Sequence, residues 1–164
     1  MIFLTVGSQF PFDRLVRAVD AAFEAGLIDE EIFGQIGESS YKPRNFRYVS
    51  SLDKDTFDQM CKKASRMIGH AGIGTITIAL KHDKPLLIMP RLEKEGEVVN
   101  DHQVAIARRF ETLGYVLVAH RVEDLPVKIS FLKTFVPRKR TGQVELVAER
   151  ITKFLDEIGG TNEK

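Results

Sequence analysis

The 164-residue sequence carries 24 lysines and arginines against 23 aspartates and glutamates, which leaves a formal net charge of +1. So small a charge argues against nucleic acid as the main partner, because proteins that neutralise phosphates usually carry a basic excess. The length predicts one domain over residues 1–164, with 159–164 as a frayed tail. No apolar run approaches the roughly 20 residues that span a bilayer, and the single cysteine favours a reducing, cytoplasmic setting.

Short apolar runs alternate with helical patterns along the chain, which predicts an α/β fold. We expect a Rossmann-like parallel sheet of about six strands with helices on both faces. The predicted strands are residues 2–6, 32–36, 46–49, 66–69, 85–89 and 115–118. The predicted helices are 12–23, 55–64 with Asp55 as its N-cap, a buried helix ending at Leu80, 100–113, and an amphipathic helix over 144–158. Residues 123–142 have no clear pattern.

Three loops follow predicted strands at the edge where an open parallel sheet binds ligands, beyond the carboxyl ends of the strands. The first contains Gly7, Ser8 and Gln9. Its glycine permits a tight turn, and the N–H groups that begin the next helix attract anions. A turn followed by an ordinary helix cap explains the same residues, so both interpretations stay open here.

The second loop runs from His70 to Thr75 and consists largely of small residues. Glycines let a diphosphate approach the main chain, and a helix N-terminus favours its negative charge. Close packing of helix on sheet is an equally good explanation. The loop has neither G-x-G-x-x-G spacing nor the lysine of a P-loop, which disfavours other nucleotide-binding α/β domains. The candidate site residues in it are His70, Ala71, Gly72, Ile73, Gly74 and Thr75.

The third loop places Asn100, Asp101, His102 and Gln103 at the start of a helix. Asn100 and Gln103 have the spacing of a capping box, so a structural role accounts for them. In the same geometry, His102 and Gln103 can hydrogen-bond sugar hydroxyls above the strand ends. Capping alone does not require a histidine at this position.

No metal site is predicted from the sequence. Asp53 and Asp55 form a D-x-D pattern, but acidic residues just before a helix are typical of caps. The four histidines lack metal-ligand spacing, and Cys61 has no partner cysteine. Residues 90–99 form a connection that we expect to be too charged to bury.

Three ordered motifs carry a resemblance to glycosyltransferase family 28. They read HAGIGT (70–75), KPLLIMPR (84–91) and NDHQ (100–103), and residues 3–16 agree with the family's first strand and loop. The sequence resembles the C-terminal, donor-binding half of the family. It is most similar to split members: the PssE/EpsF-like subunits of exopolysaccharide synthesis and the catalytic subunit of the eukaryotic two-part dolichol-linked GlcNAc transferase. It is more distantly similar to the MurG lipid II enzyme.

The resemblance implies one half of a GT-B fold that acts as an inverting, metal-independent hexosyltransferase. The donor substrate is implied to be a UDP-sugar, with no cofactor. The other half is implied to come from a membrane-anchored subunit, which presents a lipid-diphosphate-linked saccharide at the cytoplasmic face for exopolysaccharide or capsule synthesis. An isolated half is also expected to self-associate through the face meant for its partner.

The resemblance also implies roles for individual residues. His70 is implied to hydrogen-bond a phosphate or to act on the acceptor hydroxyl, since an ordinary histidine pKa near 6.5 suits either role. The implied positions are Gly7, Ser8, Gln9 and residues 72–75 at the donor diphosphate, His102 and Gln103 at the donor sugar, and the backbone near Leu52 at the uracil.

Ile78 departs from the family pattern, because related enzymes have a ribose-binding glutamate there. Glu97 or Glu95, from the charged connection, is the candidate replacement. The same departure supports an alternative function, a non-catalytic subunit that binds a nucleotide sugar or serves as a scaffold. The donor sugar is open as well, because His102-Gln103 differs from the glutamine pair of MurG-like enzymes.

Overall fold

The computed structural model describes residues 1–138 and contains six parallel strands in one sheet, in the order β3-β2-β1-β4-β5-β6. The strands are β1 (Ile2–Thr5), β2 (Ile32–Gln35), β3 (Arg47–Val49), β4 (Arg66–His70), β5 (Leu86–Met89) and β6 (Leu117–Val118). The helices are α1 (Asp13–Glu24), α2 (Lys54–Lys63), α3 (Ile73–Lys81), α4 (His102–Thr112) and α5 (Leu125–Leu132), with short 3-10 turns at Glu93–Glu95 and Val122–Asp124.

The sheet is covered on both faces because its central strands bury alternate side chains in opposite directions. Leu4 and Ile68 pack with α1 and α5 on one face. Phe3 and Met67 pack with α2, α3 and α4 on the other. β1 lies between β2 and β4, so that Ile2 pairs with Ile32 on one side and with Arg66 on the other. This arrangement confirms the predicted Rossmann-like fold.

One prediction about a helix is wrong. Asp53, not Asp55, is the N-cap of α2, because the Asp53 carboxylate accepts the amides of Asp55 and Thr56, each at 3.0 Å. Residues 123–142, in which the sequence showed no clear pattern, contain α5. Pro126 occupies the first turn of α5, where the missing N–H costs nothing.

The predicted burial of α3 is only partly confirmed. Thr75, Ile76, Ala79 and Leu80 are buried, whereas Ile73 and Ile78 are half-exposed. The predicted helix over 144–158 and the predicted tail over 159–164 lie outside the described residues. The extent of the domain to residue 164 stays a prediction.

Candidate functional site

The direction of winding reverses between β1 and β4, which are neighbours at the centre of the sheet. β1 continues to β2 and β3 on one side, and β4 continues to β5 and β6 on the other. In open α/β sheets the loops at such a switch point diverge and leave a crevice for ligands. Here the crevice lies between Gly7, which follows β1, and Gly72, which follows β4.

His70 ends β4 and places its imidazole between these two glycines. A Cβ added at Gly7 would lie 3.0 Å from His70 Cε1, and one added at Gly72 would clash with the same ring. Gly7 also has a φ of +74°, which side chains other than glycine rarely adopt. Thr75 Oγ1 lies 3.3 Å from His70 Nδ1. Both glycines are therefore required in order to seat the histidine.

His70 remains neutral at physiological pH. Burial first, and then the positive charge of Arg91, lower its pKa to about 4, while a hydrogen bond with the Thr5 backbone acts in the opposite direction. A neutral imidazole offers one N–H donor and one acceptor nitrogen. A base with so low a pKa is a poor proton acceptor at pH 7, so this geometry favours hydrogen bonding over general-base chemistry.

Gly74 differs from the other two glycines of this edge. No atom of the described residues lies within 4 Å of a Cβ built there, and Gly74 is exposed in the first turn of α3. Within residues 1–138, no side chain caps this helix, whose N-cap is Gly72. The amides of the first turn are thus left for another acceptor. Packing does not explain the glycine at position 74.

Three helices start at the crevice, and within the described residues none of their N-cap side chains accepts a first-turn amide. They are α1, with Phe12 as N-cap, α3, with Gly72, and α4, with Asp101. By contrast, α2 starts nearer the sheet edge and is capped by Asp53. Uncapped N-termini carry partial positive charge and unpaired N–H groups, which together suit an anion.

The start of α4 does not form the expected capping box. The side-chain carbonyl of Gln103 accepts the Arg91 amide at 3.1 Å instead of turning back to Asn100. Asn100 Oδ1 accepts the His102 amide at 3.3 Å, and Asp101 Oδ1 accepts the Glu93 amide at 2.8 Å. His102 is exposed at the mouth of the crevice. The side chains of Gln103 and Asp101 thus tie the start of α4 to the connection after β5.

That connection is not the fully exposed loop that its charge predicts. Arg91 and Glu97 are both buried, at 3% and 9% exposure. Glu97 is held bidentately by Arg14, with Nε to Oε1 at 2.9 Å and Nη2 to Oε2 at 2.8 Å, and it also accepts the Leu92 amide. Both Glu97 oxygens are therefore already paired on the α1 side. Beside this pair lies a cavity of about 280 Å³ that Glu95 also lines.

Arg91 was not among the predicted site residues, although its side chain contacts the loop after β1 at several points. Its guanidinium donates to the carbonyls of Val6 and Phe10, each at 2.6 Å, and to that of Pro11 at 3.4 Å. It lies 5.0 Å from the centre of the Phe12 ring. An arginine directly after an apolar strand and a proline was the available signal, because a charge at the end of a buried strand has to find partners.

Leu52 and Ile78 lie away from the crevice glycines, on the α2–α3 side. Both are half-buried and pack against the core of that face. Ile78 lines a groove of about 470 Å³ between α2 and α3, together with Asp55, Gln59 and other α2 residues. The structure does not bring Ile78 and Glu97 together, since they line different cavities. Ser8 and Gln9 are exposed beside Gly7.

Within residues 1–138, no group of three histidine, cysteine or acidic residues is arranged to hold a metal ion. In the same part of the chain, no helix has the length and apolar character needed to cross a membrane.

The fold defines a class: a Rossmann-like domain that corresponds to one half of a GT-B fold. Residues 1–147 match the glycosyltransferase family 28 C-terminal domain, and the chain belongs to this family. In the Acinetobacter baumannii MurG crystal structure, 49% of the chain superposes on 92% of this one with a TM-score of 0.60 and 18% identity. The NMR solution structure of ALG13 covers 93% of this chain with a TM-score of 0.59 and 18% identity.

Similar proteins include UDP-N-acetylglucosamine transferase subunits called ALG13. The mouse protein is 30% identical over 140 residues, which is 79% of this chain but 12% of the mouse protein. The human protein is 31% identical over 124 residues, or 70% of this chain and 10% of its own length. The chain therefore spans a small part of these relatives.

Proposed function

We propose that this chain is the donor-binding, catalytic subunit of a two-part UDP-sugar glycosyltransferase. The observation that carries the proposal is the crevice at the β1–β4 switch point, where three helices start whose N-cap side chains make no capping hydrogen bond within residues 1–138. Such a site suits the diphosphate of a nucleotide sugar. Membership of glycosyltransferase family 28 identifies the chemistry as glycosyl transfer.

The proposed reaction inverts the anomeric centre and needs no bound metal. The acceptor hydroxyl oxygen bonds to the anomeric carbon and gives its proton to a base that we place in the acceptor-binding subunit, while the bond from the sugar to the diphosphate breaks. Negative charge then develops on UDP, and the N-termini of α1, α3 and α4 stabilise it. His70, which is neutral, contributes a hydrogen bond to a phosphate oxygen. His102 and the Gln103 NH₂ group contact hydroxyls of the transferred sugar, and the backbone near Leu52 meets the uracil.

The acceptor half is proposed to come from another subunit. The name of ALG13 describes a transferase subunit, and MurG superposes on this chain over half of its own length. We propose a membrane-anchored partner that brings a lipid-diphosphate-linked saccharide to this chain at the cytoplasmic face, for exopolysaccharide or capsule. Phe10 and Val99 are exposed apolar side chains on the crevice loops, where a partner or a second copy of this chain would dock.

We also propose an alternative function, a non-catalytic subunit, because Ile78 cannot hydrogen-bond a ribose. In that case the chain binds a nucleotide sugar weakly, or serves as a scaffold, and does not catalyse transfer. Asp55 and Gln59 line the same groove as Ile78 and offer polar groups there. Transferase activity in the presence of the acceptor-binding partner separates these two functions, because both of them allow nucleotide binding.

The test is thermal denaturation of the purified chain with UDP, several UDP-sugars, GDP, dTDP and NAD, each with and without Mg²⁺. A ligand at 100 times its dissociation constant adds about 2.7 kcal/mol to the free energy of unfolding. We expect stabilisation by UDP or by one UDP-sugar, unchanged by the metal. Absence of any shift with uridine nucleotides would favour the scaffold instead.

Gly74→Ala makes the test specific for the crevice. Because the space beside Gly74 is open in the described structure, alanine should leave the unliganded chain as stable as before, or up to about 1 kcal/mol more stable. The added methyl group lies where the diphosphate approaches the backbone, so UDP stabilisation should fall. A variant that keeps the full UDP shift would place the nucleotide elsewhere.

A further inference from the structure

Arg91 is a buried cation whose hydrogen bonds end on neutral groups. Nε and Nη2 donate to the carbonyls of Pro11, Val6 and Phe10, all in or next to the loop after β1. The nearest acid in the connection, Glu97, is engaged bidentately by Arg14. Among residues 1–138, no carboxylate forms an ion pair with Arg91. Burial lowers the pKa of Arg91 to about 10, with Glu97 acting against this change, so the guanidinium remains charged at pH 7.

A buried charge without a direct counterion is costly, and proteins normally pair it. Here the charge lies beneath the crevice loops, close enough to His70 to lower the pKa of the imidazole. Arg91 therefore contributes a positive electrostatic potential at the crevice, and the partial charges of the helix N-termini have the same sign. An anion bound in the crevice would supply the missing counter-charge.

Arg91 also fixes the shape of the loop that follows β1. Its two short bonds connect Val6, at the end of the strand, with Phe10, four residues later. The loop between them contains Gly7, Ser8 and Gln9. The Arg91 amide in turn donates to Gln103 at the start of α4. One residue thus connects the two loops that flank the crevice.

We infer that Arg91 is a positioning residue for the donor diphosphate: it holds the loop after β1 in its binding conformation and provides the crevice with an unneutralised positive charge. This inference rests on the proposed function and deepens it. Since Arg91 acts through backbone carbonyls and through its field, it should discriminate ligands by charge. Uridine, which has no phosphate, should hardly depend on it.

Calorimetric titration of uridine, UMP and UDP tests the inference. For Arg91→Gln we expect UDP affinity to fall at least about tenfold and uridine affinity to change less than about twofold. Arg91→Lys keeps the charge but not the planar set of donors, and should lose UDP affinity to a smaller extent. Arg108→Gln, the same change on the exposed side of α4, is the matched control and should behave as wild type.

Equal losses for UDP and uridine would overturn the inference, because they would indicate a purely structural role. If Arg91→Gln does not fold, Arg91→Lys carries the test, and an unchanged ratio of UDP to uridine affinity would overturn the inference. NMR titration of the His70 ring gives a readout without ligand: its pKa should rise when Arg91 becomes glutamine. A third outcome is that the wild-type chain fails to bind UDP although the pKa of His70 rises in Arg91→Gln. The proposed function would then be wrong, and Arg91 would have no diphosphate to position.

Discussion

The pKa of His70 is lower in the folded chain than in the unfolded chain, so the stability of the fold depends on pH. The pKa of His70 is about 4 in the folded chain and near 6.5 in an unfolded chain. Between these values the unfolded chain binds more protons, so the free energy of unfolding falls as pH falls. We expect His70 to account for a loss of about 3 kcal/mol from pH 7 to pH 4, measured by urea denaturation across this range.

His70→Asn provides the comparison, since asparagine does not titrate. The variant should be less stable than wild type at pH 7, because a smaller side chain leaves space between Gly7 and Gly72. Its deficit should shrink as the pH approaches 4, because only the wild type loses the histidine contribution. A deficit that stays constant across the range would contradict the lowered pKa.

The position of α1 against the loop before β3 depends on one carboxylate. Asp20, at 2% exposure, accepts the Tyr41 hydroxyl at 2.6 Å and the amides of Arg44 and Asn45, each at 3.0 Å. Burial alone raises the pKa of Asp20, but these hydrogen bonds outweigh it and lower the pKa below 3.8. The stabilisation is therefore present above pH 4 and is lost as the carboxylate becomes protonated in stronger acid.

Asp20→Ala should reduce the free energy of unfolding by about 3 kcal/mol, because the Tyr41 hydroxyl and the part-buried amides of Arg44 and Asn45 lose a charged acceptor. Chemical denaturation at pH 7 measures the change. Asp29→Ala is the control: its exposed ion pair with Lys133 should contribute little to stability, because solvent screens it. Similar losses for the two variants would mean that Asp20 is not the anchor of this loop.

Elements were predictable from sequence where a local pattern determines them. The apolar runs gave all six strands to within a residue or two, since a strand buried on both faces has few polar positions. The cap of α2 was harder, because Asp53 and Asp55 are both good caps and only the extended backbone of Asp53 selects it. α5 was missed because Pro126 resembles a helix breaker, although proline is favoured in a first turn.

At the scale of the whole molecule, the sequence located the crevice loops but not the contacts that hold them together. Gly7, His70 and Gly72 were candidates because the loops that contain them follow predicted strands, and the structure brings the three residues together. Arg14 and Glu97 are 83 residues apart, and Arg91 and Phe10 are 81 residues apart, so no local pattern links either pair. The charges of residues 90–99 predict an exposed segment. Arg91 and Glu97 are nevertheless buried, because residues distant in the sequence bond to them.

The Arg14–Glu97 pair joins the start of α1 to the connection after β5. We expect its loss to affect the loops at the carboxyl ends of the strands. Glu97→Gln keeps the shape of the side chain but leaves a half-buried guanidinium without a carboxylate, so we expect about 1–3 kcal/mol of destabilisation. Hydrogen exchange should quicken at Leu92 and its neighbours, whose amides bond within this connection, and remain unchanged in α5.

Glu123→Gln is the control, because Glu123 forms a largely exposed pair with Arg121 and should change stability by less than about 1 kcal/mol. UDP titration distinguishes the two roles that Glu97 could have. If Glu97 holds the connection, exchange at residues 92–97 quickens and UDP stabilisation falls only modestly. If Glu97 instead binds the ribose, UDP affinity falls steeply while exchange in the unliganded chain stays as in wild type. We expect the first result, because both Glu97 oxygens are already paired.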